Sequence, residues 1–116
     1  MMKTGLIAAI VLLALGVGAE AKTRICPMIV LPVCAVDASK QLQTYNNGCL
    51  AVSAGATVLH TGQCNGTFCP FECVADKGVY ARSVETRKIN VYDNLCWAEK
   101  GFAVFVHYGK CPWQLQ

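Results

Sequence analysis

Eight cysteines and two histidines are the side chains of this 116-residue chain best suited to chemistry. Cysteines act as metal-binding thiolates or as disulfide partners. Cys69 and Cys73 enclose three residues, PFE, rather than the two of the pairing common at zinc sites. An even count in a short chain with an export leader reads as a disulfide framework. No metal and no cofactor are therefore expected. His60 and His107 occupy equivalent places in two similar segments, as do Asp37 and Asp76, each three residues after a cysteine. Such duplication favours structural roles, with the two aspartates as turn residues. No set of nucleophile, base and orienting group is visible. Binding rather than catalysis is the expectation, and the chain is not read as an enzyme.

The compartment is set by the first residues. Lys3 is a positive n-region, Leu6 to Val17 is an apolar run, and Ala19-Glu20-Ala21 fits a cleavage signal. Residues 1–21 are thus expected to be a secretory signal peptide, cleaved after Ala21. A membrane anchor needs about 20 apolar residues, more than this run supplies. The mature chain keeps all eight cysteines and the net charge of +3, because Lys3 and Glu20 leave together. That charge is small and scattered, which argues against nucleic acid as a partner. A secreted, extracellular monomer with no membrane association is expected.

Two segments align at an offset of 47: YNNGC (45–49) with YDNLC (92–96), and HTGQC (60–64) with HYGKC (107–111). In both, fourteen residues separate these two cysteines, the mark of an internal repeat. The starts agree less well. Cys26-Pro27 and Cys69-Pro70 open the copies, but Cys26 and Cys34 enclose seven residues while Cys69 and Cys73 enclose three. The next interval is fourteen residues in copy one and twenty-two in copy two. The expected domains are 22–64 and 69–116, joined by the linker 65–68. Asn65-Gly66-Thr67 in that linker is an N-glycosylation sequon.

These residues need small elements to hold them. Asn46-Asn47-Gly48 is a turn signal. Leu50, Ala51, Ser53, Ala54 and Ala56 suit a short helix that ends near Gly55, and Thr57 to His60 and Ala103 to Tyr108 are β-prone. Each module is then a small disulfide-rich α+β unit, a short helix against a small antiparallel sheet. At about 40 residues such a unit has little apolar core and depends on its cross-links. Residues 74–91 read as a solvated hairpin or loop, their charges facing water. The segment CPMIVLPVC (26–34) is apolar, yet Pro32 cannot donate to a strand ladder, so an edge or a free loop is favoured. Pro27 fixes its own φ, Ile29 and Val30 are β-branched, and Pro32 biases Leu31 to extended backbone.

The pattern PVC (32–34), TYNNGC (44–49), HTGQC (60–64) resembles the Kazal-type serine protease inhibitor domain. The resemblance covers 26–64 and, more loosely, 69–111. That family has six cysteines. Its fifth would fall at Val52 and its first upstream of Cys26, and since those two are partners one whole disulfide is missing here. The resemblance implies the pairs Cys26–Cys49, Cys34–Cys64, Cys69–Cys96 and Cys73–Cys111, whereas spacing alone leaves three connectivities per module. It also implies a substrate-like reactive loop, Pro27, Met28, Ile29, Val30, Leu31 and Pro32, with Met28–Ile29 as the reactive bond. Asn47 would bond the loop backbone on both sides of that bond, with Tyr45 packing beneath; without the family, Asn47-Gly48 is simply a tight turn.

The implied partner is a serine protease of the subtilisin-, elastase- or chymotrypsin-like kind. The alternative is a secreted, non-inhibitory Kazal-like module of the binding or matrix type. Loop length favours inhibition for copy one. Copy two's loop of three residues spans at most roughly 12 Å, too short by this reasoning to present residues on both sides of a scissile bond. Copy two is thus expected to be degenerate, serving as structure or as a second binding surface.

Overall fold

A single asparagine in each half of the chain starts a helix. Asn47 and Asn94 have extended backbones, and their side-chain carbonyls accept the N–H groups of Leu50 and Trp97. A side-chain acceptor on an otherwise orphaned helical N–H is the usual N-cap. The helices it starts, α1 (Gly48–Ser53) and α2 (Leu95–Lys100), are short. Gly55, just past α1, has φ 81°, a left-handed value that glycine adopts without strain.

In this computed structural model the described residues are 25–116, so the expected signal peptide, residues 1–21, lies outside them. The N-terminal half contains β1 (Val33–Val36), β2 (Leu42–Tyr45), α1 and β3 (Thr57–Thr61). The C-terminal half contains β4 (Gly78–Ser83), β5 (Ile89–Tyr92), α2, β6 (Ala103–Gly109) and a closing 3-10 turn, Pro112–Leu115. The fold is small, disulfide-rich α+β, with two three-stranded antiparallel sheets ordered β2-β1-β3 and β5-β4-β6. Each central strand carries an irregularity in its pairing, between Cys34 and Ala35 and between Tyr80 and Ala81.

The cores are as small as the sequence implies. Val33, Ala35, Ala51 and Ala56 form one, with Tyr45 and Val58 against it; Val79, Ala81, Ala98 and Ala103 form the other, flanked by Tyr92, Leu95 and Phe105. Alanines dominate both, because a six-residue helix lies close on its sheet. Four disulfides, Cys26–Cys49, Cys34–Cys64, Cys69–Cys96 and Cys73–Cys111, cross-link the chain, all within one half or the other. Loops of these lengths lose about 3–4 kcal/mol of unfolded-chain entropy per bridge. No helix among the described residues is long and apolar enough to cross a membrane.

Residues 74–91 contain a hairpin, β4–β5, with Asp76, Lys77, Arg82, Glu85, Arg87 and Lys88 exposed as expected, but one of its strands is also part of the core. That strand is β4, the central strand of the second sheet, with Val79 and Ala81 buried. The register explains the longer cysteine interval. Tyr80 pairs with His107 as Cys34 pairs with His60, so the strand position held by a cysteine in the first half is held by tyrosine in the second. The cysteine itself, Cys73, stands seven residues upstream of Tyr80, and a hairpin one residue longer accounts for the rest of the difference. For the same reason Asp76 is not the counterpart of Asp37. Ser83 is: its hydroxyl accepts the N–H groups of Glu85 and Thr86, as Asp37 Oδ1 accepts those of Ser39 and Gln41. Asp76 still lies in a turn, a different one, at φ 62°.

Candidate functional site

Residues 25–32 contain no helix or strand; β1 begins at Val33. The prolines at 27 and 32 and the β-branched pair between them disfavour helix, and no neighbouring strand is aligned to take up the segment. Cys26 is tied to Cys49 at the start of α1, and Cys34, in β1, is tied to Cys64. The Leu31 N–H donates to the Asn46 carbonyl at 2.7 Å, and the Pro32 carbonyl accepts from the Gly62 N–H at 2.7 Å. Both ends are thus fixed while the middle projects. Met28 is 98 % exposed, and Pro27, Ile29, Val30 and Leu31 are exposed as well.

Asn47 reaches this loop. Its Nδ2 donates to the Pro27 carbonyl at 3.2 Å and to the Ile29 carbonyl at 2.8 Å, on either side of Met28, while its Oδ1 caps α1. The side chain is buried, so all its polar atoms are committed. The Met28 N–H and C=O have no hydrogen-bond partner among the described residues. Tyr45 is partly buried and packs against the core cluster of Val33, Ala35, Ala51 and Ala56.

The second half repeats the arrangement on a shorter loop. Asn94 Nδ2 donates to the Pro70 carbonyl at 3.0 Å and to the Glu72 carbonyl at 2.9 Å, flanking Phe71, and its Oδ1 caps α2. The carbonyls immediately before and after Phe71 are thus held by one amide, as those around Met28 are, on a loop of only three residues. YDNLC contained Asn94, but nothing in the sequence marked Trp97, whose Nε1–H also donates to the Pro70 carbonyl at 2.8 Å.

No family model matches this chain, and neither does any curated protein or solved structure.

Cys34 Sγ, His60 and Glu99 come within 4.8 Å of one another, a spacing that a metal could use. The Cys34 sulfur is spent in its bridge to Cys64, which leaves only two protein ligands. His107 is exposed and stacks on Tyr80 at 4.8 Å. Asn65 is exposed at the junction of the halves, yet its Nδ2 donates to Glu99 Oε1 at 3.1 Å.

Proposed function

We propose that this chain is a secreted serine protease inhibitor of the Kazal-like kind, with residues 26–34 as a substrate-like loop and Met28–Ile29 as the reactive bond. The observation that carries this reading is the Asn47 amide bridging the carbonyls on both sides of a nearly fully exposed Met28. An apolar side chain left in water costs free energy, and a loop held around it has already lost the entropy that docking would otherwise take. Both features favour a loop made to be bound.

Inhibition then follows from geometry. The protease serine Oγ adds to the Met28 carbonyl carbon, the bond to the Ile29 nitrogen breaks, and the serine proton passes through the protease base to that nitrogen. In an ordinary substrate the new amine diffuses away and water hydrolyses the acyl-enzyme. Here Asn47 holds the Ile29 carbonyl, and the two disulfides hold both segments, so the amine stays against the acyl carbon and resynthesis outpaces hydrolysis. The protein supplies no metal, cofactor or catalytic group of its own, and it acts as a monomer.

Met28 is unbranched and apolar, which suits the deep apolar pockets of subtilisin-, elastase- and chymotrypsin-like enzymes. The test is a set of inhibition constants for residues 22–116 and two variants. Met28→Lys is expected to move inhibition toward trypsin, whose pocket ends in a carboxylate. Met28→Asp is expected to weaken subtilisin inhibition roughly 100-fold, about 3 kcal/mol, by desolvating an unpaired carboxylate. If Met28→Asp inhibits as well as wild type, Met28 is not the specificity residue. An inert wild type would favour a non-inhibitory binding module.

A further inference from the structure

The second clamped loop is more heavily braced than the first. Besides Asn94, two indoles hold it: Trp97 Nε1–H on the Pro70 carbonyl and Trp113 Nε1–H on the Cys73 carbonyl at 3.2 Å. Disulfides leave from both of its ends, Cys69 to Cys96 and Cys73 to Cys111. A loop fixed by two indoles, one amide and two disulfides still leaves Phe71 80 % exposed. Its ring rests on Trp97 with centroids 5.0 Å apart, so one face is supported and the other is free. The Phe71 N–H and C=O have no partner among the described residues, as at Met28.

A large apolar ring, held out rigidly with both backbone polar groups unpaired, has the properties of an interface anchor. The free groups are those that a protease engages at its specificity position, one along its extended substrate site and the other in its oxyanion hole. The residue just upstream of the loop, Phe68, is also exposed. Downstream the loop closes at Cys73, whose carbonyl is already taken by Trp113. Contact is therefore concentrated on the stretch before the bond, 68–71, and the ring itself must supply the discrimination.

We propose that residues 69–73 form a second protease-directed site, in which Phe71 fills the aromatic specificity pocket of a chymotrypsin-like serine protease and Phe71–Glu72 is the bond presented. This rests on the reading of the Met28 loop as substrate-like and extends it to a different specificity. The Glu72 side chain, exposed immediately after the bond, disfavours enzymes with an acidic surface on the leaving-group side.

The two sites separate by variants of the mature chain, 22–116, assayed against chymotrypsin, subtilisin and trypsin. Met28→Asp removes the first site; the remaining chymotrypsin inhibition is expected to fall a further 100-fold or more when Phe71→Asp is added. Met28→Asp with Phe71→Lys is expected to inhibit trypsin, a gain that misfolding cannot produce. If Met28→Asp alone abolishes chymotrypsin inhibition, and Phe71→Lys brings no trypsin inhibition, the second site is wrong while the Met28 reading stands. If wild type and every variant are inert toward all three enzymes, the Met28 reading fails first and the second site with it.

Discussion

Glu99 on α2 is fully buried with its Oε1 2.7 Å from Nε2 of His60, a residue of β3 in the other half of the chain. The same carboxylate accepts the Asn65 N–H at 2.9 Å and the Asn65 side-chain amide. Lys100 adds a bond to the Gly66 carbonyl at 2.7 Å. The 65–68 linker is therefore no loose tether but is held against α2. Glu99 stands three residues after Cys96, as Val52 stands three after Cys49.

Removing the carboxylate leaves the buried His60 Nε2 and the part-buried amide groups of Asn65 without their partner. Glu99→Ala is expected to cost about 3 kcal/mol or more in unfolding free energy. Chemical denaturation reads the loss, and amide exchange should show the Asn65 N–H losing its protection. A change below about 0.5 kcal/mol, the level of an ordinary surface substitution, would mean that the contact does not join the halves.

Gly78 opens β4 where the chain runs against its own end. A Cβ there would sit 2.6 Å from the Lys110 carbonyl oxygen and 2.8 Å from Cys111 Cα. Both are backbone atoms, and Cys111 is fixed by its disulfide, so neither yields easily. Gly78→Ala is expected to destabilise by about 1–3 kcal/mol through overpacking. Gly66→Ala, where nothing lies within 4 Å, is the neutral control. Equal denaturation midpoints for the two variants would refute the steric account.

Much of this was legible in the residues. Asn46-Asn47-Gly48 marked the start of α1, Leu50, Ala51 and Ser53 lie in it while Ala54 caps its end and Ala56 falls beyond it, and two prolines kept 26–32 out of the sheet. Those are local signals, and local chemistry decides them. What stayed hidden was non-local. No spacing rule says that Tyr80 rather than Cys73 takes the strand place of Cys34, because the choice depends on which residues bury Val79 and Ala81 under α2. Nor does any local pattern mark Glu99, whose burial comes from the His60 that the other half of the chain sets against it.

Asp37 offers a pH test. Its carboxylate accepts the Ser39 and Gln41 N–H groups and the Gln43 amide. The Gln41 N–H does most to hold its pKa down; some desolvation opposes this, and Gln43 and Ser39 add to the lowering. A depressed folded value means that its support of the β1–β2 turn is complete above the ordinary value of 3.8 and is lost as pH falls through the lower one. An NMR titration of the Asp37 carboxyl carbon should give a midpoint below 3.8. A midpoint at or above that value would contradict the hydrogen bonds.

Asn47 performs two tasks with two atoms, and a substitution can divide them. Its Oδ1 caps α1 and its Nδ2 clamps the Pro27 and Ile29 carbonyls. Asn47→Ala loses both, at a cost of about 1 kcal/mol for the cap alone. Asn47→Asp keeps an acceptor for the Leu50 N–H, and aspartate is as good a cap as asparagine. It has no donor for the loop, however, and sets a carboxylate oxygen against two carbonyl oxygens. The loop is then free to separate after cleavage. Asn47→Asp is expected to keep α1, as judged by amide exchange at Leu50, while raising the inhibition constant for a subtilisin-like enzyme tenfold or more. It should also turn the Met28–Ile29 bond into a site of steady hydrolysis, visible as a new N-terminus at Ile29. Unchanged inhibition with an intact bond would show that the disulfides alone hold the loop and that the amide bridge is incidental.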